Sequence, residues 1–231
     1  MLRIVAWRVP PYDNGTYLVV DDRNEAIVID PSMGERLVID ATREQGLRLV
    51  EILNTHGHPD HIFGNAAVKE ATRARLAIHR LDAYRLARRT RPDIAPESRA
   101  LVGGLFDDMP DVAADDLIDE GPLRYLADVE LVALHTPGHT EGSTCFHLPR
   151  DGVLFSGDVL FAGNVGRVDL PGGDAQLMEW SLARVAGLAP ETRVYPGHGP
   201  QTTIGAELGW LRGFRFDCRL FHRPHDVHAV V

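Results

Sequence analysis

Residues 54–61 read NTHGHPDH, and no other stretch constrains the chain so tightly. Three histidines and an aspartate are crowded into eight residues, with a glycine and a proline between them. The run leading into it, LRLVEILNT (47–55), is rich in aliphatics and reads as a buried strand. A strand that empties into imidazoles and a carboxylate is open to two readings, a metal cluster or a polar turn that happens to be rich in histidine. A cluster needs further ligands delivered by other strands, so the rest of the chain has to decide.

Short apolar runs at 2–9, 15–21 and 25–30 predict three strands, with DDRN as the hairpin turn between the last two. GERLVIDATREQG (34–46) has helical spacing and ends on a glycine. Helices are expected over 63–71 and 81–89, with a strand at 75–79 between them. The stretch 90–122 holds four prolines, three glycines and a run of acids. It reads as a long irregular insertion, either a functional flap or a surface excursion. Strands return at 129–135, 143–149 and 152–157, followed by a loop with many glycines (158–173), a helix at 174–188 and a strand and turn at 192–200. The tail from 202 reads as helical and then irregular. Strands followed by helices, twice, predict an α+β fold in which two sheets are sandwiched between helices. The whole chain, 1–231, is expected to form a single domain with an irregular insertion at about 90–122.

Bulk properties narrow the partners. Acids outnumber bases by 33 to 24, for a net charge of −9. Such a surface repels phosphate backbones, so no nucleic-acid partner is expected. The two cysteines, Cys145 and Cys218, have no nearby partner, which excludes a disulfide framework and a cysteine-rich zinc module. No apolar run approaches ~18 residues, and the start MLRIVAWRVP is too short and interrupted for a signal peptide. The expectation is therefore no membrane and a reducing cytoplasm. A small-molecule substrate is the expected partner, with the chain a monomer or a homodimer.

Metal-competent side chains recur wherever a predicted strand stops. The strand at 47–55 runs into His56, His58, Asp60 and His61, and that at 129–135 leads to His139 in HTPGHTEGS. GVLFSG (152–157) ends at Asp158, and RVYPGHG carries His198. Ligands at corresponding ends of neighbouring strands can converge on one shallow cleft. Seven such groups suffice for two divalent ions, and imidazole with carboxylate suits zinc, and also iron or manganese. Two cations side by side repel each other, so they need a shared carboxylate, and Asp158 is the obvious bridge. His56 and His58 can reach one ion from an extended loop. Pro59 then turns the chain so that Asp60 and His61 face the other.

These blocks resemble the metallo-β-lactamase fold superfamily. THGHPDH matches its HxHxDH signature. HTPGHTEGS, FSGDVLFAGNVGRVDLPGGD and YPGHGPQTTIGAE are similar to later blocks of its glyoxalase II-like (hydroxyacylglutathione hydrolase-like) branch, in the same order, over about residues 2–207. The resemblance implies an αββα sandwich with two mixed sheets between helices. It also implies one ion on His56, His58 and His139, a second on Asp60, His61 and His198, and Asp158 bridging. True β-lactamases generally lack the full second set, so His61 and His198 point toward thioester or related ester hydrolysis, with S-lactoylglutathione as the type substrate. The implied chemistry is a hydroxide bridging two metal ions, formed near neutral pH because metal binding lowers the pKa of water from 15.7 to roughly 7. It attacks the carbonyl while the ions stabilise the oxyanion and the leaving group, and Asp60 serves as ligand and orients the hydroxide. A second reading resembles persulfide dioxygenase, an oxidoreductase with a single iron on His56, His139 and Asp158.

Other candidates are expected to be structural. Cys145 sits in a predicted strand and reads as core. His79, His135, His147, His222, His225 and His228 read as packing or surface groups, with His135 also a candidate partner behind His139. Asp30, ending IVID, is either a support for the histidine loop or a turn-capping aspartate. Arg167 and Asp169 are expected to pair and pin their loop. Arg212, Arg215, Arg219 and Arg223 are spaced to share one helix face, most simply a solvated one. After TTIGAE the arginine and Asn-Pro-Phe ending of the branch is replaced by LGWLRGF, which leaves recognition of glutathione open.

Overall fold

In the computed structural model, residues 2–87, 89–90, 104 and 106–216 are described. The first sheet begins as an antiparallel meander, Arg3–Val9 (β1), Asn14–Val20 (β2) and Glu25–Ile29 (β3). Helix α1 (Glu35–Glu44) crosses to Arg48–Asn54 (β4), which runs parallel to β3. Gly46 stops that crossover at φ 61°, a left-handed conformation that a residue with a Cβ resists. Helix α2 (Pro59–Ile62) and helix α3 (Asn65–Thr72) then lead to the parallel strand Arg75–His79 (β5).

The sheet closes with Asp116–Ile118 (β6), and the chain steps at once to Gly121–Leu123 (β7), the first strand of the second sheet. Leu131–His135 (β8), Thr144–Leu148 (β9) and Val153–Gly157 (β10) follow as an antiparallel meander. Helix α4 (Ala175–Val185) crosses to Arg193–Pro196 (β11), parallel to β10. Thr202–Thr203 (β12) and helix α5 (Ile204–Leu211) complete the described chain. Among the described residues each sheet has six strands, in the orders β1-β2-β3-β4-β5-β6 and β12-β11-β10-β9-β8-β7.

Strand alternation explains why these sheets stack in layers. Along β2, Leu18 and Val20 join Val38 of α1 and Val68 of α3 in one cluster. Their neighbours Tyr17 and Val19 point the other way and pack with Phe146 and Phe155 of the second sheet. On the far face of that sheet, Cys145, Leu154 and Val194 meet Met178 and Leu182 of α4 and Ile204 of α5. The result is the expected αββα sandwich. Each large apolar side chain so buried contributes about 1.5–3 kcal/mol, and this packing holds the strand ends that carry the site.

The structure departs from the sequence reading in four places. The helix expected over 81–89 is only a 3₁₀ turn, Ala83–Leu86, because Asp82 and Arg85 turn inward instead of continuing a solvated face. The stretch read as irregular, 90–122, contains β6 and the first two residues of β7 and so contributes to one edge of each sheet. Three residues are too few to show an alternating pattern, and only the pairing with β5 and β8 makes them strands. The remainder of the expected insertion, apart from Gly104 and 106–115, lies outside the described residues beyond position 90. The helix after the histidine loop is preceded by a separate single turn, α2, with Pro59 at its start, where the fixed φ of proline suits a first helical position. Finally α5 ends at Leu211, so Arg212 and Arg215 fall beyond the helix, while Arg219 and Arg223 lie outside the described residues. No helix among the described residues is long and apolar enough to cross a membrane.

Candidate metal centre

All the predicted ligands lie just past the C-terminal ends of strands. β8 and β10 both run antiparallel to β9, and β11 is parallel to β10, so these three strands end at one edge of their sheet. That edge carries His139, Asp158 and His198. β4 in the other sheet ends opposite, in the loop with His56 and His58, and α2 presents Asp60 and His61.

The seven groups meet. Donor atoms of His56, His58 and His139 form one set able to hold a metal ion, those of Asp60, His61 and His198 another, and His56, His61 and Asp158 a third between them, with all atoms of a set within 4.8 Å of one another. His56 Nε2 is 3.0 Å from His58 Nδ1, and His61 Nε2 is 3.2 Å from His198 Nε2. Asp158 spans the centre: Oδ1 is 3.3 Å from His61 Nε2, while Oδ2 is 3.3 Å from His139 Nε2 and 3.4 Å from His198 Nε2. Four donors held tetrahedrally at 2.0–2.1 Å from zinc are separated by roughly 3.3–3.4 Å. The measured spacings are of that size.

Outer partners set which ring nitrogen faces inward. His61 Nδ1 lies 2.9 Å from Asp30 Oδ2, His139 Nδ1 2.7 Å from the Arg167 carbonyl, and His198 Nδ1 2.8 Å from the Tyr12 carbonyl. Thr55 donates to Asp30 through Oγ1 at 2.6 Å and accepts from His56 Nδ1 at 3.0 Å. Each of these four rings therefore has its Nδ1 engaged outward and its Nε2 turned to the centre. Asp158 Oδ1 and His139 Nε2 are buried there with no hydrogen-bond partner, an arrangement a cation would satisfy. The donor set and its orientation fit a divalent metal.

The histidines of the two halves are shifted in opposite directions. Burial pulls His61 and His198 down, but Asp60 and Asp158 outweigh it, raising both and bringing His198 to about 10. Burial would raise Asp158 and Asp60, yet the facing histidines hold both carboxyls well below their usual range. On the other side burial dominates and keeps His56, His58 and His139 neutral. Asp60 and His198 retain 20% and 24% of their side-chain exposure, whereas the other ligands are buried, so solvent reaches the centre from the Asp60–His198 side.

Asp30 proves to be a support for the histidine loop. It sits at φ 48° and also accepts from the Thr55 amide at 2.8 Å. Arg167 and Asp169 form the expected bidentate pair, at 2.6 and 2.7 Å. His135 is not behind His139. Its Nε2 is 2.9 Å from the Glu141 carbonyl, and its ring stacks on His79 at 4.2 Å. Cys145 is core, its thiol pushed up to about 12 by burial. Sequence reasoning missed Asn14, which donates to Asp60 Oδ2 at 2.9 Å, and Asp82, whose carboxylate lies behind two of the ligand loops. Asn14 reads locally as a turn residue and Asp82 as a surface acid, so neither carries a local signal.

Gly197, beside His198, has no room for a side chain: a methyl there would lie 2.1 Å from Asp158 Oδ1 and 2.9 Å from His61 Cε1. Gly197→Ala is expected to displace the carboxylate and to lower zinc affinity by about 10–100-fold, the range seen when a ligand's support is disturbed. Chelator competition on the folded variant checks this.

The metallo-beta-lactamase superfamily profile matches residues 11–198, and the chain belongs to that superfamily, whose members are typically hydrolytic metalloenzymes. Hydroxyacylglutathione hydrolase of Maricaulis maris is 32% identical over 187 residues, 80% of this chain, and the chain spans only 62% of that protein. Among solved structures, the BLEG-1 B3 metallo-beta-lactamase superposes with a TM-score of 0.81 at 32% identity, covering 90% of this chain and 97% of that one. TTHA1623 in a di-iron-bound form gives 0.76 at 34% identity, covering 88% and 96%. ETHE1 from Myxococcus xanthus gives 0.70 at 26% identity, covering 90% and 85%.

Proposed function

We propose that the protein is a dinuclear metallohydrolase acting on a small thioester or related ester, in the manner of glyoxalase II. The observation that carries this reading is Asp158, whose Oδ2 lies within 3.4 Å of both His139 of one donor set and His198 of the other, with Oδ1 turned to His61. His56, His58 and His139 would hold one divalent ion and Asp60, His61 and His198 the other, with zinc the first choice and iron or manganese the alternatives. Such a pair supplies Lewis acidity and a water of lowered pKa. The chain's own groups do the rest. Asp60, fixed by Asn14 at 2.9 Å and partly open to solvent, is placed to orient the attacking water. Substrate approaches over the Asp60–His198 side, where the Phe161 ring lies perpendicular to that of His198 at 5.8 Å. The buried Cys145 offers no competing nucleophile.

The single-iron alternative on His56, His139 and Asp158 uses three of the seven groups. It gives no task to the 3.2 Å approach of His61 Nε2 to His198 Nε2, which favours two ions. Metal content measured beside S-lactoylglutathione hydrolysis separates the two. Two ions per chain, with activity lost to chelator and restored by zinc, is the expected result. One iron per chain with oxygen uptake on glutathione persulfide overturns it.

A further inference from the structure

Behind the three-histidine half lies an ion pair that no ligand role requires. Asp82, just before the 3₁₀ turn that follows β5, and Arg85 within it are both fully buried. Asp82 Oδ2 accepts from the Gly57 amide and from Thr140 Oγ1, each at 2.8 Å, and Oδ1 accepts from the Gly142 amide at 2.8 Å. Gly57 stands between His56 and His58, and Thr140 directly follows His139. One carboxylate therefore ties together the two loops that carry this half. Arg85 adds the third loop. Its Nε is 3.5 Å from Asp82 Oδ1, and its Nη2 bonds Glu141 Oε2 at 2.7 Å and the Pro171 carbonyl at 2.8 Å. Its stem fills the space beside Gly57, where a Cβ would fall 2.6 Å from Arg85 Cβ.

The other half has supports that do not involve Asp82, although Asp30 also reaches His56 through Thr55. Asn14 holds Asp60, Asp30 holds His61, and the Tyr12 carbonyl holds His198. Asp82 contacts none of these three ligands in the bonds above. Buried charge pairs are costly to desolvate and persist where their geometry is needed. Here the hydrogen bonds of the carboxylate go to ligand loops and not to the core.

We infer that the Asp82–Arg85 pair is the positioning device of the His56–His58–His139 half, so that this half can be weakened without emptying the other. The inference rests on the two-ion reading above. Asp82→Asn keeps the side chain's shape but sets an NH₂ group against donors that need an acceptor.

The test measures zinc stoichiometry and affinity by chelator competition, with cobalt as a spectroscopic probe. Wild-type protein is measured first: two ions per chain must be found, and finding one or none defeats the two-ion reading itself. With two ions established, Asp82→Asn is expected to lower the affinity for one ion by about 10–100-fold and to leave the other within about twofold. In the cobalt protein, the shifted ring N–H signals of His56, His58 and His139 are expected to fade while those of His61 and His198 persist. Thr140→Val removes a single bond to the carboxylate and is expected to show the same selective loss, smaller in size, should Asp82→Asn fold poorly. Asn14→Ala is expected to show the mirror pattern. Equal weakening of both ions in the Asp82 and Thr140 variants, or none, overturns the inference.

Discussion

Replacing Asp158 with asparagine is expected to strip metal from both halves of the centre at once. Its carboxylate reaches into both donor sets, through Oδ1 toward His61 and through Oδ2 toward His139 and His198. Asparagine has one neutral oxygen and cannot offset the repulsion between two cations. Its NH₂ group would also point at an imidazole lone pair. Disturbing an outer support costs about 10–100-fold in metal affinity or activity, so loss of the shared carboxylate is expected to exceed about 100-fold in both. Elemental analysis and thioester hydrolysis, run together on the purified variant, check it. A variant that keeps two tightly bound ions would show that Asp158 is not the bridge. The contrast with Asp82→Asn, expected to weaken only one ion, makes the pair informative.

Glu51→Gln is expected to stabilise the protein in alkaline solution. Glu51 lies on β4 beside Ile27, facing the second sheet, and is 1% exposed, with no hydrogen-bond partner for Oε1. Burial, with Asp116 adding to it and Arg75 opposing, pushes its carboxyl up from 4.5 to about 8. Below the lower value both folded and unfolded chains carry the proton, and the neutral acid is tolerated in the core. Between the two values only the unfolded chain ionises, so stability falls as pH rises, by about 1.4 kcal/mol per unit. Glutamine removes that dependence. Relative to wild type, the variant is expected to gain up to about 5 kcal/mol between pH 4 and pH 9. Denaturant unfolding of chelator-treated protein at the two pH values measures the change. A constant difference between the two proteins would mean that Glu51 finds a partner when ionised.

Much of the candidate site is legible along the chain because its ligands follow strands at short, fixed distances. An aliphatic run followed by HxHxDH, and later runs ending in His139, Asp158 and His198, can be marked without knowing how the strands pair. The layering is legible too, since residues such as Leu18 and Tyr17 alternate toward different clusters. Edges are another matter. β6 and β7 have three residues each and no pattern of their own, so they are strands only because β5 and β8 offer them unpaired backbone.

The same division separates ligands from their supports. Asn14 meets Asp60 across 46 residues, Asp82 meets Thr140 across 58, and the Tyr12 carbonyl meets His198 across 186. A backbone carbonyl has no sequence signature, and an aspartate in a short turn looks the same buried or exposed. What the sequence by itself determined was the identity of the metal-competent groups and the layered fold that gathers them, because both are written in local periodicity and spacing. What only the tertiary structure decided was which nitrogen each imidazole presents and which distant groups support it. Those depend on contacts between segments far apart in the chain, and only folding brings them within hydrogen-bond reach.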